Sequence, residues 1–282
     1  MKLKNLIVTL SIAALTSLTF APISSAGVIT PDPKGFLTPG KLTNCVDIEY
    51  PPLEYFANGT SGDAIGFDVE SAAALATAWG VKITQLNTSF DGLIPSLVAH
   101  KCDIVWSGLY LSNKRLQVAD GVIYMNTGAG LVVPAGNPKK IIKAINLCGL
   151  NVAVQGQGSN WQILQDQNVI CKSSGKSAIN VQSYPKTAET VASLSSGKSD
   201  ALIETDVAVP EITNGSDGKL MEARGIFKGS VQFAVYMSKK NPMYHALKAS
   251  VRALILDGTL GKIATKYGLD PKKLSTLTKK AI

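Results

Sequence analysis

From residue 42 to residue 204 the chain alternates short apolar, strand-like runs with amphipathic helical ones, and it does so twice. Residues 42–47 read as a strand and 67–79 as a helix, with Val69, Ala72, Ala73 and Ala76 on one face and Gly80 as its stop. Residues 81–86 read as a second strand, 92–100 as a short helix and 103–106 as a short apolar strand. Parallel strands need long crossover connections, so this order predicts helices packed on a parallel sheet. The order then repeats, with strands at 150–155, 180–183 and 201–204 and helices at 159–166 and 187–196. Residues 128–136, containing Leu131-Val132-Val133, read as one extended crossing between the two units, and 231–237 as the return. Helices at 243–255 and 259–267, the second stopped by Gly268, pack back on the first unit. The expectation is α/β with two lobes, each built on a parallel-dominated sheet and joined by two hinge strands. Residues 27–131 and 233–282 form a discontinuous first lobe, and 132–232 a continuous second one.

The N-terminus stands outside this pattern. Lys2 and Lys4 precede an uncharged run from Asn5 to Phe20, and Ser24-Ser25-Ala26 supplies small residues where a signal peptidase cuts. Residues 1–26 are therefore expected to be a cleaved export signal, too short in its apolar part for a stable span. With no Cys at the cleavage point, no lipid anchor is expected there. Four cysteines, Cys45, Cys102, Cys148 and Cys171, suit an oxidising compartment and admit three disulfide pairings, or buried thiols. The pairing Cys45–Cys102 with Cys148–Cys171 keeps each bridge within one expected lobe. No Cys-x-x-Cys occurs and the only histidines are His100 and His245, so neither a metal nor another cofactor is expected. The formal charge of +8 does not indicate nucleic acid. Basic residues are scattered, the densest group (Lys272, Lys273, Lys279, Lys280) lies in the C-terminal tail, and no stacking aromatics accompany it.

Several short words carry more. They are Tyr50-Pro51-Pro52-Leu53-Glu54, Gly66-Phe67-Asp68-Val69-Glu70, Phe90-Asp91-Gly92-Leu93-Ile94-Pro95-Ser96-Leu97 and Lys101-Cys102-Asp103-Ile104-Val105-Trp106-Ser107-Gly108, followed by Arg115, Val152-Ala153-Val154-Gln155 and Leu256-Asp257-Gly258-Thr259. In that order, across nearly the whole mature chain, the sequence resembles the family 3 extracellular solute-binding proteins, receptors for polar amino acids in ABC importers. The resemblance implies a type II-like periplasmic-binding-protein fold, a periplasmic location and a monomer serving an ABC permease and its ATPase. Leu147-Cys148-Gly149 with Cys171-Lys172 also looks like a disulfide found in part of that family.

The resemblance also locates a site. Parallel α/β sheets place ligands at the carboxyl ends of their strands. Ser107 and Gly108 follow the third strand, so their amides are expected to face a cleft between the lobes, and Arg115 matches the family's carboxylate clamp. A planar guanidinium suits a carboxylate because two parallel charged hydrogen bonds fix its orientation. From the second lobe, the stretch 155–160 joins strand to helix, and amides at a helix start favour an anionic group; either Ser159 or Asn160 is the contact. Family members for ordinary α-amino acids carry Ser or Thr where this chain has Tyr110. They carry Asp, for the α-ammonium, where it has Thr205, leaving Thr205 or Asp206 for that place. Tyr110, Tyr50 and Phe90 supply aromatic faces, and Asp47 sits on the loop with Tyr50, a set that suits a cation.

The expected ligand is thus a small zwitterion with a carboxylate and a cationic group: a cationic amino acid, an amino-acid conjugate, or a betaine- or ectoine-like solute. Two alternatives use the same cleft. One is a periplasmic dehydratase-type enzyme drawing on Glu49, Glu204 or Asp206 as acid or base. The other is a ligand sensor for a membrane kinase.

Overall fold

The computed structural model describes residues 29–156, 158–227 and 231–274. The expected export signal at 1–26, and Lys279 and Lys280 of the basic tail, lie outside the described residues. Strand β1 (Lys41–Val46) leads through a loop carrying the short strands β2 (Tyr55–Phe56) and β3 (Ala64–Ile65) into helix α1 (Phe67–Ala78). Then come β4 (Lys82–Asn87), α2 (Leu93–Val98), β5 (Ile104–Val105), the one-turn α3 (Asn113–Leu116) and the long β6 (Ala119–Thr127). The second unit comprises β7 (Ala129–Pro134), β8 (Asn151–Gln155), α4 (Ser159–Ser173), β9 (Asn180–Tyr184) and α5 (Thr187–Ser195). It ends with β10 (Ala201–Thr205), α6 (Val209–Asn214) and β11 (Leu220–Glu222). The chain returns through β12 (Val231–Ser238) to α7 (Tyr244–Leu256) and α8 (Thr259–Lys266).

Two five-stranded sheets result, ordered β4-β1-β5-β12-β6 and β11-β7-β10-β8-β9. In each, four strands run one way and the crossing strand, β12 or β7, opposes them. The chain changes sheet at Gly128. Thr127 still pairs with Val231 in the first sheet, while Ala129 already pairs with Thr205 in the second. A boundary between 131 and 132 would therefore cut β7, whose Leu131 and Val133 belong to the second lobe's core. The return likewise begins at Val231. Helix α4 runs to Ser173 rather than to 166, because Leu164, Gln167 and Cys171 keep helical spacing on its buried face. Cys171 is thus inside the helix and not beyond it.

Each sheet has its own core. In the first lobe α1 turns Phe67, Val69, Ala72, Leu75 and Ala76 inward, a helical spacing that packs on the sheet face. Its start is steric as well as hydrophobic: Gly66 has φ +123°, and a Cβ there would lie 2.2 Å from the Leu53 carbonyl oxygen. The buried Asn44 on β1 accepts from the Trp106 N–H and donates to Gln85, so the interior strand carries a polar residue with its bonds made. Asp103 accepts from the amides of Leu37 and Thr43, each at 2.7 Å, and ties the N-terminal loop to the sheet. Disulfides Cys45–Cys102 and Cys148–Cys171 brace one lobe each. No described helix is long and apolar enough to cross a membrane.

Candidate functional site

The carboxyl ends of β1 and β5 in one lobe face those of β8 and β10 in the other, and a cavity of about 510 Å³, counting its open mouth, lies between them. Asp47, Tyr50 and Glu54 reach it from the end of β1, Phe90 from the turn before α2, and Ser107, Gly108, Tyr110 and Arg115 from the segment after β5. The second lobe contributes Gln155, Gly158, Ser159 and Asn160 around the start of α4, and Glu204 and Thr205 at the end of β10. All the residues expected at the site line this cavity except Asp206.

Arg115 is held in place by its own loop. Ser112 caps α3 by accepting from the Arg115 N–H, and Arg115 Nη1 donates to the Tyr110 carbonyl at 2.7 Å. The Tyr236 hydroxyl donates to that same carbonyl at 2.6 Å. The guanidinium carbon lies 6.0 Å from the centre of the Phe90 ring. Burial pulls the Arg115 pKa below its ordinary value, opposed by Tyr236 and Tyr110, so it keeps its charge. Among the described residues no carboxylate pairs with it. A half-buried guanidinium without an acid is half of an ion pair.

The start of α4 faces the same space. Its first-turn amides have no acceptor within the helix, and Asn160 Oδ1 is buried without a partner. Ser159 and Asn160 both line the cavity. Gly158 lies against Phe90 of the other lobe, where an added Cβ would sit 3.2 Å from the ring.

Three expectations are corrected. The Gly108 N–H does not point to the cleft; it donates to Asp68 Oδ2 at 2.6 Å, and Tyr124 donates to the same oxygen. The Ser107 hydroxyl is also engaged, donating to Glu54 and accepting from the Asp47 amide. Asp206 accepts from Thr127 and pairs with Lys273 at 2.9 Å, because the residue after β10 turns toward the crossing strands. Tyr110 proves to be largely packed: its ring stacks on Phe233 at 5.3 Å and its hydroxyl donates to the Gly128 carbonyl, leaving one edge in the cavity.

The acids differ in how far they are already satisfied. Glu204 accepts from Tyr50, from the Thr205 N–H and from Thr187, so a first-lobe hydroxyl reaches across to it. Burial raises its pKa, and those donors oppose the rise. Glu54 and Asp68 share a buried pocket behind Ser107; burial raises Asp68 to about 7 and Glu54 well above its ordinary range. Burial, with Glu49 second, raises Asp47 to about 7. Glu54, Gln155 and Gly158 were not named as contacts, and Glu204 was named only as an acid of the enzyme alternative. Glu54 and Gln155 stand inside words already singled out and Glu204 ends a buried strand, but only the facing of the two lobes shows that they meet. His100 and His245 are exposed and remote from the cavity. Among the described residues no group of three His, Cys, Asp or Glu could hold a metal ion.

The sequence model of the bacterial extracellular solute-binding proteins, family 3, matches residues 42–270. The L-cystine-binding protein TcyJ of Escherichia coli K12 is 26% identical over 236 residues, covering 83% of this chain and 85% of the relative. The histidine-binding periplasmic protein of Salmonella typhimurium is 27% identical, covering 81% and 88%. Among solved structures, an ancestral arginine-binding protein bound to arginine superposes with a TM-score of 0.73 at 25% identity, covering 81% of this chain and 98% of that one.

Proposed function

The chain belongs to the bacterial extracellular solute-binding proteins of family 3, and on that premise we propose that it captures an amino acid or amino-acid-like zwitterion between its lobes and hands it to an ABC importer. The observation that carries this reading is Arg115, half-buried at the cleft without an acidic partner among the described residues and lining the same cavity as the start of α4. Guanidinium and helix-start amides together suit one carboxylate gripped from both lobes. Phe90 and Tyr50 suit the body of the ligand, and Asp47 its cationic group. The candidates are cationic amino acids, amino-acid conjugates and betaine- or ectoine-like solutes. Relatives that bind histidine and arginine favour the first group.

In this reading residues 1–26 direct export to the periplasm, where the mature protein works as a monomer. The two sheets are lobes moving about the crossings at Gly128 and at the strand β12 that begins at Val231. Glu204 as a catalytic acid is disfavoured because Tyr50, Thr187 and the Thr205 amide already occupy its oxygens, and Asp206 faces away. The test is calorimetric titration with amino acids and betaines, followed by mass spectrometry of the recovered ligand. Saturable binding of a carboxylate-bearing cation, recovered unchanged and lost in Arg115→Ala, is the expected result. Binding that survives Arg115→Ala removes the clamp, and a chemically altered ligand points to an enzyme.

A further inference from the structure

Behind the first lobe's wall of the cleft, two carboxyl groups are buried together with no cation. Glu54 and Asp68 are 1% and 0% exposed. Their backbones meet, the Asp68 N–H donating to the Leu53 carbonyl at 2.8 Å. Their side chains are held by consecutive residues just after β5. The Ser107 hydroxyl donates to Glu54 Oε1 at 2.9 Å, and the Gly108 N–H donates to Asp68 Oδ2 at 2.6 Å. Tyr124 of β6 donates to that same Asp68 oxygen at 2.7 Å. The rings of Phe67 and Trp106 lie 6.0 and 5.3 Å from the Tyr124 ring and wall the pocket with apolar surface.

Two oxygens in this pocket are left over. Glu54 Oε2 and Asp68 Oδ1 are both buried, and no donor reaches either. An ionised carboxylate only accepts, so two of them side by side would leave both atoms orphaned and repel each other out of water. One hydrogen resolves both defects. Placed on Glu54 Oε2, it turns that oxygen into a donor and gives Asp68 Oδ1 something to accept. The donor count says which acid carries it: Asp68 already takes two donors on its other oxygen, as suits an anion, while Glu54 takes one. The other groups facing the pair are Asp47 at the end of β1, a like charge, and the Trp106 indole N–H, beyond hydrogen-bond distance but favouring the Asp68 anion. Among the described residues no Lys, Arg or His bonds to either acid.

We infer that Glu54 carries a hydrogen shared with the Asp68 carboxylate, and that this hydrogen positions the chain after β5 in the wall of the cleft. Ser107 passes the constraint on, since its hydroxyl also accepts from the Asp47 N–H at 3.0 Å. One hydrogen thus ties the start of α1 to the ends of β1 and β5, which bring Asp47, Ser107 and Gly108 to the cavity. The inference concerns the wall itself and holds whichever ligand the cleft takes. Burial raises Asp68 to about 7 and Glu54 well above its ordinary range, so the pair, titrating as a unit, gives up one proton near neutrality and keeps the last beyond it. The unfolded chain has released both by then. Stability therefore goes on falling as pH rises above neutral, by up to tenfold in the folding equilibrium constant per pH unit.

The ligand-free protein should be unfolded in urea at intervals from about pH 7.5 to about pH 9. The wild-type constant should decline at up to that tenfold rate. Glu54→Gln, whose amide N–H can donate to Asp68 Oδ1 without titrating, should level the profile and so gain on the wild type by up to tenfold per pH unit. Asp68→Asn, donating to an ionised Glu54, should level it too, and serves if the first variant does not fold. Infrared spectra at about pH 8.5 should show the C=O band of a protonated carboxylic acid, absent from Glu54→Gln and retained in Asp47→Asn, which removes the other raised acid nearby. A wild-type profile already level over this interval overturns the inference, as does a decline that survives in both amide variants. Absence of the acid band from the wild type, or its loss in Asp47→Asn, overturns it as well.

Discussion

At the scale of single residues, the cavity holds two half-buried ionisable groups of opposite kind, Arg115 and Asp47. Arg115 is fixed by the Tyr110 carbonyl and the cap at Ser112, so little side-chain freedom is lost when it meets a carboxylate. Charge-assisted bonds to such a group contribute roughly 1.5–3 kcal/mol, so Arg115→Lys, which keeps the charge but loses the fork, should weaken binding about tenfold in calorimetry. Arg115→Ala should weaken it by about a hundredfold or more. Asp47 adds a pH dependence. With its pKa raised to about 7, chiefly by burial, binding a cation below that pH requires release of a proton. Affinity for a cationic ligand should therefore be level above about pH 7.5 and fall by up to tenfold per pH unit on acidification. Asp47→Asn should flatten that profile as well as lower it. That Ser107, Tyr50 and Phe90 line one cavity was readable in the sequence, because they stand in short words whose spacing is local, with Arg115 a few residues after one of them. What was not readable is which polar group is already taken: Gly108's amide belongs to Asp68 and Glu204's oxygens to Tyr50, partners 40 and 154 residues away.

At the scale of elements, the alternation of strand and helix was legible wherever an element buries one face and ends at a glycine, as α1 does before Gly80. It failed for β6, whose Ala-Asp-Gly-Val-Ile-Tyr-Met-Asn-Thr mixes polar residues into a nine-residue strand held by its ladder with β12. It failed again for α6 and β11, too short to show a period. The disulfides are elements of stability. Cys148–Cys171 closes 23 residues and Cys45–Cys102 closes 57, so chain-entropy arguments give roughly 3 and 4 kcal/mol respectively. Replacing each pair by serines should lower stability in denaturant titrations by amounts in that order. The Cys148–Cys171 variant should loosen α4 in hydrogen exchange before the first lobe responds, since that bridge anchors the helix whose start lines the cavity.

For the whole molecule, the contacts across the cleft set how firmly the lobes stay shut. Tyr50 to Glu204, Lys186 to Glu49, and Phe90 against Gly158 each join one lobe to the other. None touches the backbone at Gly128 about which the chain changes sheet. Tyr50→Phe leaves Glu204 with one donor fewer in a buried setting, and Gly158→Ala drives a methyl toward the Phe90 ring at 3.2 Å. Both should raise Kd about tenfold, through faster dissociation observed in stopped-flow fluorescence, with little change in melting temperature because each lobe keeps its own core. A tenfold change carried by the association rate would instead place the defect in the open form. The buried acids give the ligand-free molecule an opposite response to pH. Asp47 and Asp68 hold protons up to about pH 7 when folded but only to about 3.8 as free side chains. Between those limits the native state binds more protons than the unfolded chain, so stability is greatest on the acid side and falls as pH rises through 7. Melting temperature without ligand should therefore decline from pH 5 to pH 8 while affinity for a cationic ligand climbs. The ligand's stabilising effect in thermal shift should then be largest where the free protein is weakest. A melting temperature that rises over that interval without ligand would mean the two aspartates are ionised in the folded state, and would remove the basis for the pH dependence of binding as well.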